Sequence, residues 1–257
     1  MRRLLAALTL ALVGTASCLS GGRQGPLEPL PAGGHRVLFI GNSLTYVNDL
    51  PRTVSDLAAS VGDTIRTASV AYPNFALVDH LTSGESLRTI AADRWEYVIM
   101  QQGPTSTTGV DRDTLILAVR AFDPYVRAAG ARSALYMVWP DITRRQFWDN
   151  CRDSYRLAAQ AVSGVFMPAG EAWRTAWASD STLGLYGGDG FHPSPLGTYV
   201  AALVMYERIT GKDARTLPGR AVVEGRTLST PEATIRVLQN AAHRVNTEPS
   251  LQPLIRE

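Results

Sequence analysis

Two cysteines in 257 residues leave almost no scope for covalent stabilisation. Cys18 lies in GTASC near the start, and once it is lipidated or cleaved away Cys151 has no partner, so no intramolecular disulfide is expected. Cys151, in QFWDNCRDSYRLAAQAV, reads as a partly buried structural thiol on a helix rather than a nucleophile. The four histidines, at 35, 80, 192 and 243, show no metal-ligand spacing, and no glycine loop of the phosphate-binding type occurs. The residues therefore ask for no metal and no cofactor. No internal repeat and no long low-complexity block is present, which excludes a repeat architecture. The excess of positive charge is small as well. The formal net charge is +2, and removing Arg2 and Arg3 with a leader brings basic and acidic residues into balance, so nothing argues for nucleic acid.

The apolar stretch 4–13 follows Arg2 and Arg3 and runs into small residues, the layout of a secretory signal peptide. It is too short to span a bilayer as a stable helix. The segment ending at Cys18 resembles a bacterial lipobox, with Thr15 standing where a bulky apolar residue is usual. Processing there predicts a lipid-anchored periplasmic or cell-surface protein, and a cut after Ala16 or Ser20 predicts a secreted one. Residues 19–34 are rich in Gly and Pro without periodicity and read as a flexible tether. The chain as a whole is 45% hydrophobic and 19% charged, and its remainder, 35–257, is long enough for one domain with a sizeable α/β core.

Strand-like and helix-like segments alternate through this domain. Uninterrupted apolar runs at 37–40 and 97–100 have the length and type of strands buried on both faces. Further strands are expected at 64–70, 134–139 and 165–167, and helices at 50–61, 83–92, 111–129 and 144–162. Ser194 is a good N-cap, and Pro195 suits the first position of an apolar helix running to Tyr206. Strands separated by helices of this length imply βαβ units, a parallel sheet and a three-layer α/β/α sandwich.

Two short segments carry the chemistry. VLFIGNSLT ends its apolar run just before Ser43, at the first strand-to-helix connection, which in an open α/β sheet borders the crevice at the carboxyl ends of the strands. GGDGFHPSPLGTY puts Asp189 and His192 on the loop before the 195–206 helix, where the carboxylate can reach one imidazole nitrogen and leave the other facing Ser43. A serine hydroxyl is a weak nucleophile until a base takes its proton, and an acid behind the base fixes its tautomer. Donors for a developing oxyanion are also needed. The candidates are the Ser43 amide, a backbone amide around Asn74, and the side chain of Gln101 or Gln102. Ser43 as a plain N-cap, His192 as a surface loop residue and the glutamines as strand-end hydrogen bonders are the competing readings. His80 reads as a helix-surface or structural histidine. Trp139, Pro140 and Asp141 suit either a pocket wall or core and turn roles, while Trp173, Trp177 and Tyr186 suit packing or a platform for a sugar.

These residues resemble the SGNH or GDSL-type esterase/lipase superfamily. GNS at 41–43 is similar to its first block, usually GDS, and DGFHP at 189–193 to its last, usually DxxHP. The resemblance runs from His35 to Lys212, with specific motifs only at its two ends. It implies a flavodoxin-like sheet of about five parallel strands, Ser43 as nucleophile, His192 as base, Asp189 as its partner, and no cofactor. The middle blocks depart from the pattern. YPNFALVDH offers Asn74 where an oxyanion glycine is usual, and QQGPTS stands in place of GxND. The glutamine is similar to a branch of carbohydrate O-acetylesterases, which favours Gln102 over Gln101. The expectation is a serine esterase that removes a small acyl group, acetyl, from a carbohydrate. A lipase for longer acyl chains and a non-catalytic glycan-binding protein on the same fold are the alternatives. The residues say nothing of oligomeric state.

Overall fold

Val37, Leu38, Phe39 and Ile40 alternate to opposite faces of a strand, and all four are fully buried, so both faces of that strand must be covered. Burying each such side chain contributes roughly 1.5–3 kcal/mol. The strand is β1 (His35–Gly41), and in this computed structural model, which describes residues 31–103 and 109–251, it is an interior strand of a five-stranded sheet. The expected leader, Cys18 and the tether up to residue 30 lie outside the described residues.

β1 pairs in parallel with β2 (Ile65–Ala71) on one side and β3 (Tyr97–Met100) on the other. β4 (Arg132–Tyr136) and β5 (Val165–Met167) extend the sheet in the order β2-β1-β3-β4-β5. The strand order reverses at β1, so the crevice outside the carboxyl ends of β1 and β3 is the ligand position for a doubly wound sheet. The sandwich of the sequence reading is present.

Two helical layers cover the sheet. The first turn after β1 is α1 (Ser43–Tyr46), followed by α2 (Leu50–Ala59). α3 (Leu77–Ser83), α4 (Glu85–Ala92), α5 (Gly109–Ala128) and α6 (Trp148–Ala161) pack together on one face. α2 packs on the other face with α8 (Pro195–Thr210), beside α7 (Ala169–Ser179) and α9 (Glu232–Thr247). α8 is buried nearly all round, and a helix apolar on every side needs cover on its outer face too. α9 supplies it with Ile235, Leu238, Ala242 and Val245 on one stripe. Among the described residues no helix is long and apolar enough to cross a membrane.

Several boundaries differ from expectation. The helix read at 83–92 is α4 from Glu85, and Ser83 instead closes the preceding α3, with Gly84 in the left-handed conformation between them. The fourth strand stops at Tyr136, not at residue 139, because β5 is only three residues long and Met137 makes the last contact with it before the chains diverge. The helix read from 144 begins at Trp148. Ahead of it lies a 3-10 turn, Ile142–Phe147, initiated by Asp141, whose Oδ1 accepts from the Thr143 amide at 3.0 Å. α3, α7 and α9 are not among the helices expected from the sequence.

Candidate active site

The turn after β1 is held from three directions. Asn42 caps α1, its Oδ1 accepting from the Leu44 amide at 3.1 Å, while its Nδ2 donates to Phe75 O at 3.0 Å. The Asn42 amide donates to Gln101 Oε1 at 3.0 Å, and the Thr45 hydroxyl donates to the same oxygen at 2.9 Å. Gly41 has to be glycine here, since a methyl group would collide with Thr45 Oγ1 and Gln101 Oε1. Ser43 therefore stands at the first position of a helical turn, 9% exposed. Neither its amide nor its hydroxyl makes a hydrogen bond among the described residues.

Beneath this turn lies His80, fully buried. Its Nε2 is 2.8 Å from Gly41 O, which can only accept, so Nε2 carries the proton and the Ser86 hydroxyl donates to Nδ1 at 3.0 Å. Burial lowers its pKa and keeps the ring neutral. His80 is thus a structural histidine inside the fold and not on the helix surface.

The segment that follows β2 brings Asn74 over the same turn. Asn74 adopts the left-handed conformation at φ 61° and is exposed; the bond from Asn42 Nδ2 to Phe75 O ties its loop to Ser43. The two glutamines after β3 divide their contacts. Gln101 Oε1 is saturated by Asn42 and Thr45, and its buried Nε2 has no partner among the described residues. Gln102 Oε1 accepts from the Leu77 amide at 3.3 Å, three residues beyond Asn74, and its Nε2 makes no hydrogen bond among the described residues. The Gln102 backbone is clamped by the Tyr155 hydroxyl, which interacts with both its amide and its carbonyl.

On the loop before α8, Asp189 Oδ2 is 2.6 Å from His192 Nδ1. Asp189 Oδ1 accepts from the amides of Phe191 and His192 at 3.0 and 2.9 Å. The His192 contact, followed by the Phe191 amide, holds the Asp189 carboxyl down at about 2. With the proton on Nδ1, a neutral His192 leaves Nε2 as an acceptor, and the side chain is 31% exposed. Gly190, at φ +67°, gives the loop its reversal, and its carbonyl accepts from the Ile142 amide at 2.8 Å.

Aromatic residues hold this loop. Trp139 Nε1 donates to Phe191 O at 3.1 Å, and the Tyr186 hydroxyl donates to Pro140 O at 2.5 Å. Trp139 stacks on Trp173 with ring centroids 3.5 Å apart, and Trp173 and Trp177 both pack on Tyr186. Trp139 and Trp173 are core residues and Asp141 a turn residue, whereas Ile142 and Phe147 on the same segment are exposed. Cys151 is buried, and its thiol, which donates to Val138 O, has a pKa raised by burial.

No hydrogen bond joins Ser43 to His192 among the described residues. Their loops are linked instead through Asn48, which sequence reasoning passed over, as it did Asn42. Asn48 Nδ2 donates to Pro193 O and to Thr198 Oγ1, both at 2.9 Å. The Asn-Ser and Asn-Asp pairs that flank α1 in GNSLTYVND are turn and cap signals and could have pointed to both residues. A separate cluster of Glu207, Asp213 and His243 brings three potential metal ligands within 4.8 Å of one another. Arg215 already pairs with Asp213, and Glu207 lies about 20 Å along α8 from its Ser194 cap.

This architecture is that of the SGNH hydrolases. A candidate SGNH hydrolase from Slackia heliotrinireducens superposes over 68% of this chain and 98% of its own, with a TM-score of 0.58 and 24% identity. A DUF4886 family protein from Bacteroides uniformis covers 84% of this chain and 96% of its own, with a TM-score of 0.69 and 19% identity. An acetyl xylan esterase from Geobacillus stearothermophilus covers 69% and 95%, with a TM-score of 0.54 and 18% identity. No family model and no curated protein matches the sequence. At these identities the likeness establishes the SGNH fold.

Proposed function

We propose that this protein is a serine ester hydrolase that removes a small acyl group, acetyl, from an acylated carbohydrate. One observation carries the reading: the Asp189–His192 pair at 2.6 Å leaves Nε2 unengaged, on a loop tied to the turn that presents an unbonded Ser43 hydroxyl. In the reaction, Ser43 Oγ attacks the acyl carbonyl and its proton passes to His192 Nε2. Asp189 fixes the Nδ1–H tautomer and stabilises the imidazolium. The tetrahedral oxyanion is met by the Ser43 amide, the Asn74 amide and Gln102 Nε2, each contributing on the order of 3 kcal/mol. His192 then returns the proton to the leaving alcohol as the C–O bond breaks. A water molecule, deprotonated by the same nitrogen, attacks the acyl-enzyme and releases the acid.

Gln102 suits the oxyanion role better than Gln101. Its Oε1 is anchored beside Asn74 while its Nε2 is unengaged, whereas Gln101 braces the turn from behind. The carbohydrate reading draws on the acetyl xylan esterases that share the fold. A longer acyl chain is the second reading, favoured by the exposed apolar Ile142 and Phe147 on the segment packed against the His192 loop. Rates on acetyl and octanoyl esters of one alcohol separate the two: turnover of octanoyl esters alone would overturn the acetyl reading. Purified Ser43→Ala that keeps full hydrolysis would overturn both.

Export is part of the same proposal, with Cys18 as the lipidated first residue of the mature chain, on the strength of the GTASC segment. Mass spectrometry of the mature N-terminus tests it, since an unmodified start elsewhere would remove the anchor.

A further inference from the structure

We propose that Asn48 is a positioning residue that sets the placement of His192 relative to Ser43; the inference rests on the serine-esterase reading above. Asn48 lies two residues beyond α1 and takes up a left-handed conformation, φ 56° and ψ 22°, and Asp49 follows at φ 45° and ψ 60°. Consecutive non-glycine residues in this sparsely populated region are a strained arrangement that persists only where neighbours enforce it. Here the neighbours do. The Asp49 carboxylate accepts from the Arg52 amide at 3.3 Å, and the Thr53 hydroxyl donates to Asp49 O at 3.0 Å.

The strained turn aims the Asn48 amide at the other half of the site. Both Nδ2 hydrogens are used, one on Pro193 O and one on Thr198 Oγ1, across 145 and 150 residues of sequence. Pro193 directly follows His192, and Thr198 is buried in the first turn of α8. Among the described residues no other hydrogen bond joins segment 42–49 to segment 187–198. One neutral amide thus spans the two segments that hold nucleophile and base. Asparagine meets the position's three demands together: tolerance of positive φ, two N–H donors on one nitrogen, and no charge beside the imidazole.

Two variants separate tether from backbone. Asn48→Gly keeps the left-handed turn and deletes both bonds, and Asn48→Asp keeps the shape and sets a carboxylate against the Pro193 carbonyl. Each is assayed on 4-nitrophenyl acetate and on ethyl acetate, beside the parent and Ser43→Ala. A misplaced His192 penalises most the leaving group that needs its proton. The expected result is kcat/KM, which reports the acylation step in which the alcohol leaves, lowered at least tenfold on ethyl acetate and distinctly less on the activated ester. An equal loss of kcat/KM on both esters, or kcat/KM within twofold of the parent, would assign Asn48 a purely structural part and overturn the inference. Should both variants fail to fold, Thr198→Val carries the test, with a smaller loss of the same leaving-group dependence expected and an equal loss on both esters overturning it. The two failures are distinguishable: an active Ser43→Ala defeats the esterase reading and this inference together, whereas an inactive Ser43→Ala beside fully active Asn48 variants defeats this inference alone.

Discussion

Asp189 uses both carboxylate oxygens on one short loop, Oδ2 on His192 Nδ1 at 2.6 Å and Oδ1 on the amides of Phe191 and His192. The carboxylate organises the loop and the imidazole at once. A residue three positions away can do this because Gly190 reverses the chain between them.

Asp189→Asn should therefore leave the fold largely intact while removing the fixed tautomer. An Asn amide can donate to Nδ1 and drive the proton to Nε2, where it blocks proton abstraction. The expected loss in kcat is roughly a thousandfold or more, with little change in KM. Steady-state kinetics on an acetyl ester check it, and a loss below tenfold would remove Asp189 from the mechanism.

The same carboxylate sets an acid limit on stability. Its folded pKa, about 2, is below the ordinary value of 3.8, so its contribution is present above pH 4 and is lost as pH falls through about 2. With the side chain 52% exposed the effect is screened and modest. Thermal unfolding between pH 5 and 2 should show a shallower decline in Asp189→Asn than in the parent.

His80 works in a different window. Burial lowers its folded pKa from 6.5, so the unfolded chain takes up a proton that the native ring refuses. Stability should be full above about pH 6.5 and fall as pH drops below it, down to the folded pKa. In His80→Gln this slope between pH 6.5 and 5 should disappear, as read from denaturant midpoints. An unchanged slope would show that another group is responsible.

The two glutamines should separate cleanly. Gln102→Ala is expected to lower kcat by about a hundredfold at nearly unchanged stability, through loss of one oxyanion donor. Gln101→Ala leaves the Asn42 amide and the Thr45 hydroxyl without their acceptor, which should cost about 1–3 kcal/mol of stability. Paired kinetics and urea unfolding distinguish them, and the reverse pattern would exchange their roles.

Most of the sheet was legible because strands such as 37–40 and 97–100, buried on both faces, are continuous apolar runs whose boundaries need no tertiary information. The N-cap at Ser194 was legible for a similar local reason, its hydroxyl accepting from the Gly197 amide at 3.1 Å. α7 and α9 were missed although Ala169, Ala172, Trp173 and Ala176, and Ile235, Leu238, Ala242 and Val245, follow helical spacing. α3 was missed as well, its start at Leu77 lying only three residues after Asn74 in a segment read for its oxyanion donor alone. At the candidate site, residue types were readable but partnerships were not. That Gln101 braces the turn while Gln102 Nε2 is unengaged depends on Thr45 and Leu77, which are distant in sequence. The Asn48 tether, spanning 145 residues, has no local signature beyond its turn chemistry.

The most direct test of the account is covalent. Purified protein treated with a fluorophosphonate and digested for mass spectrometry should carry the adduct on Ser43, with labelling slowed strongly in His192→Ala and absent in Ser43→Ala. Folded protein that takes up no label at Ser43, or a Ser43→Ala variant that hydrolyses acetyl esters at the parental rate, would contradict it.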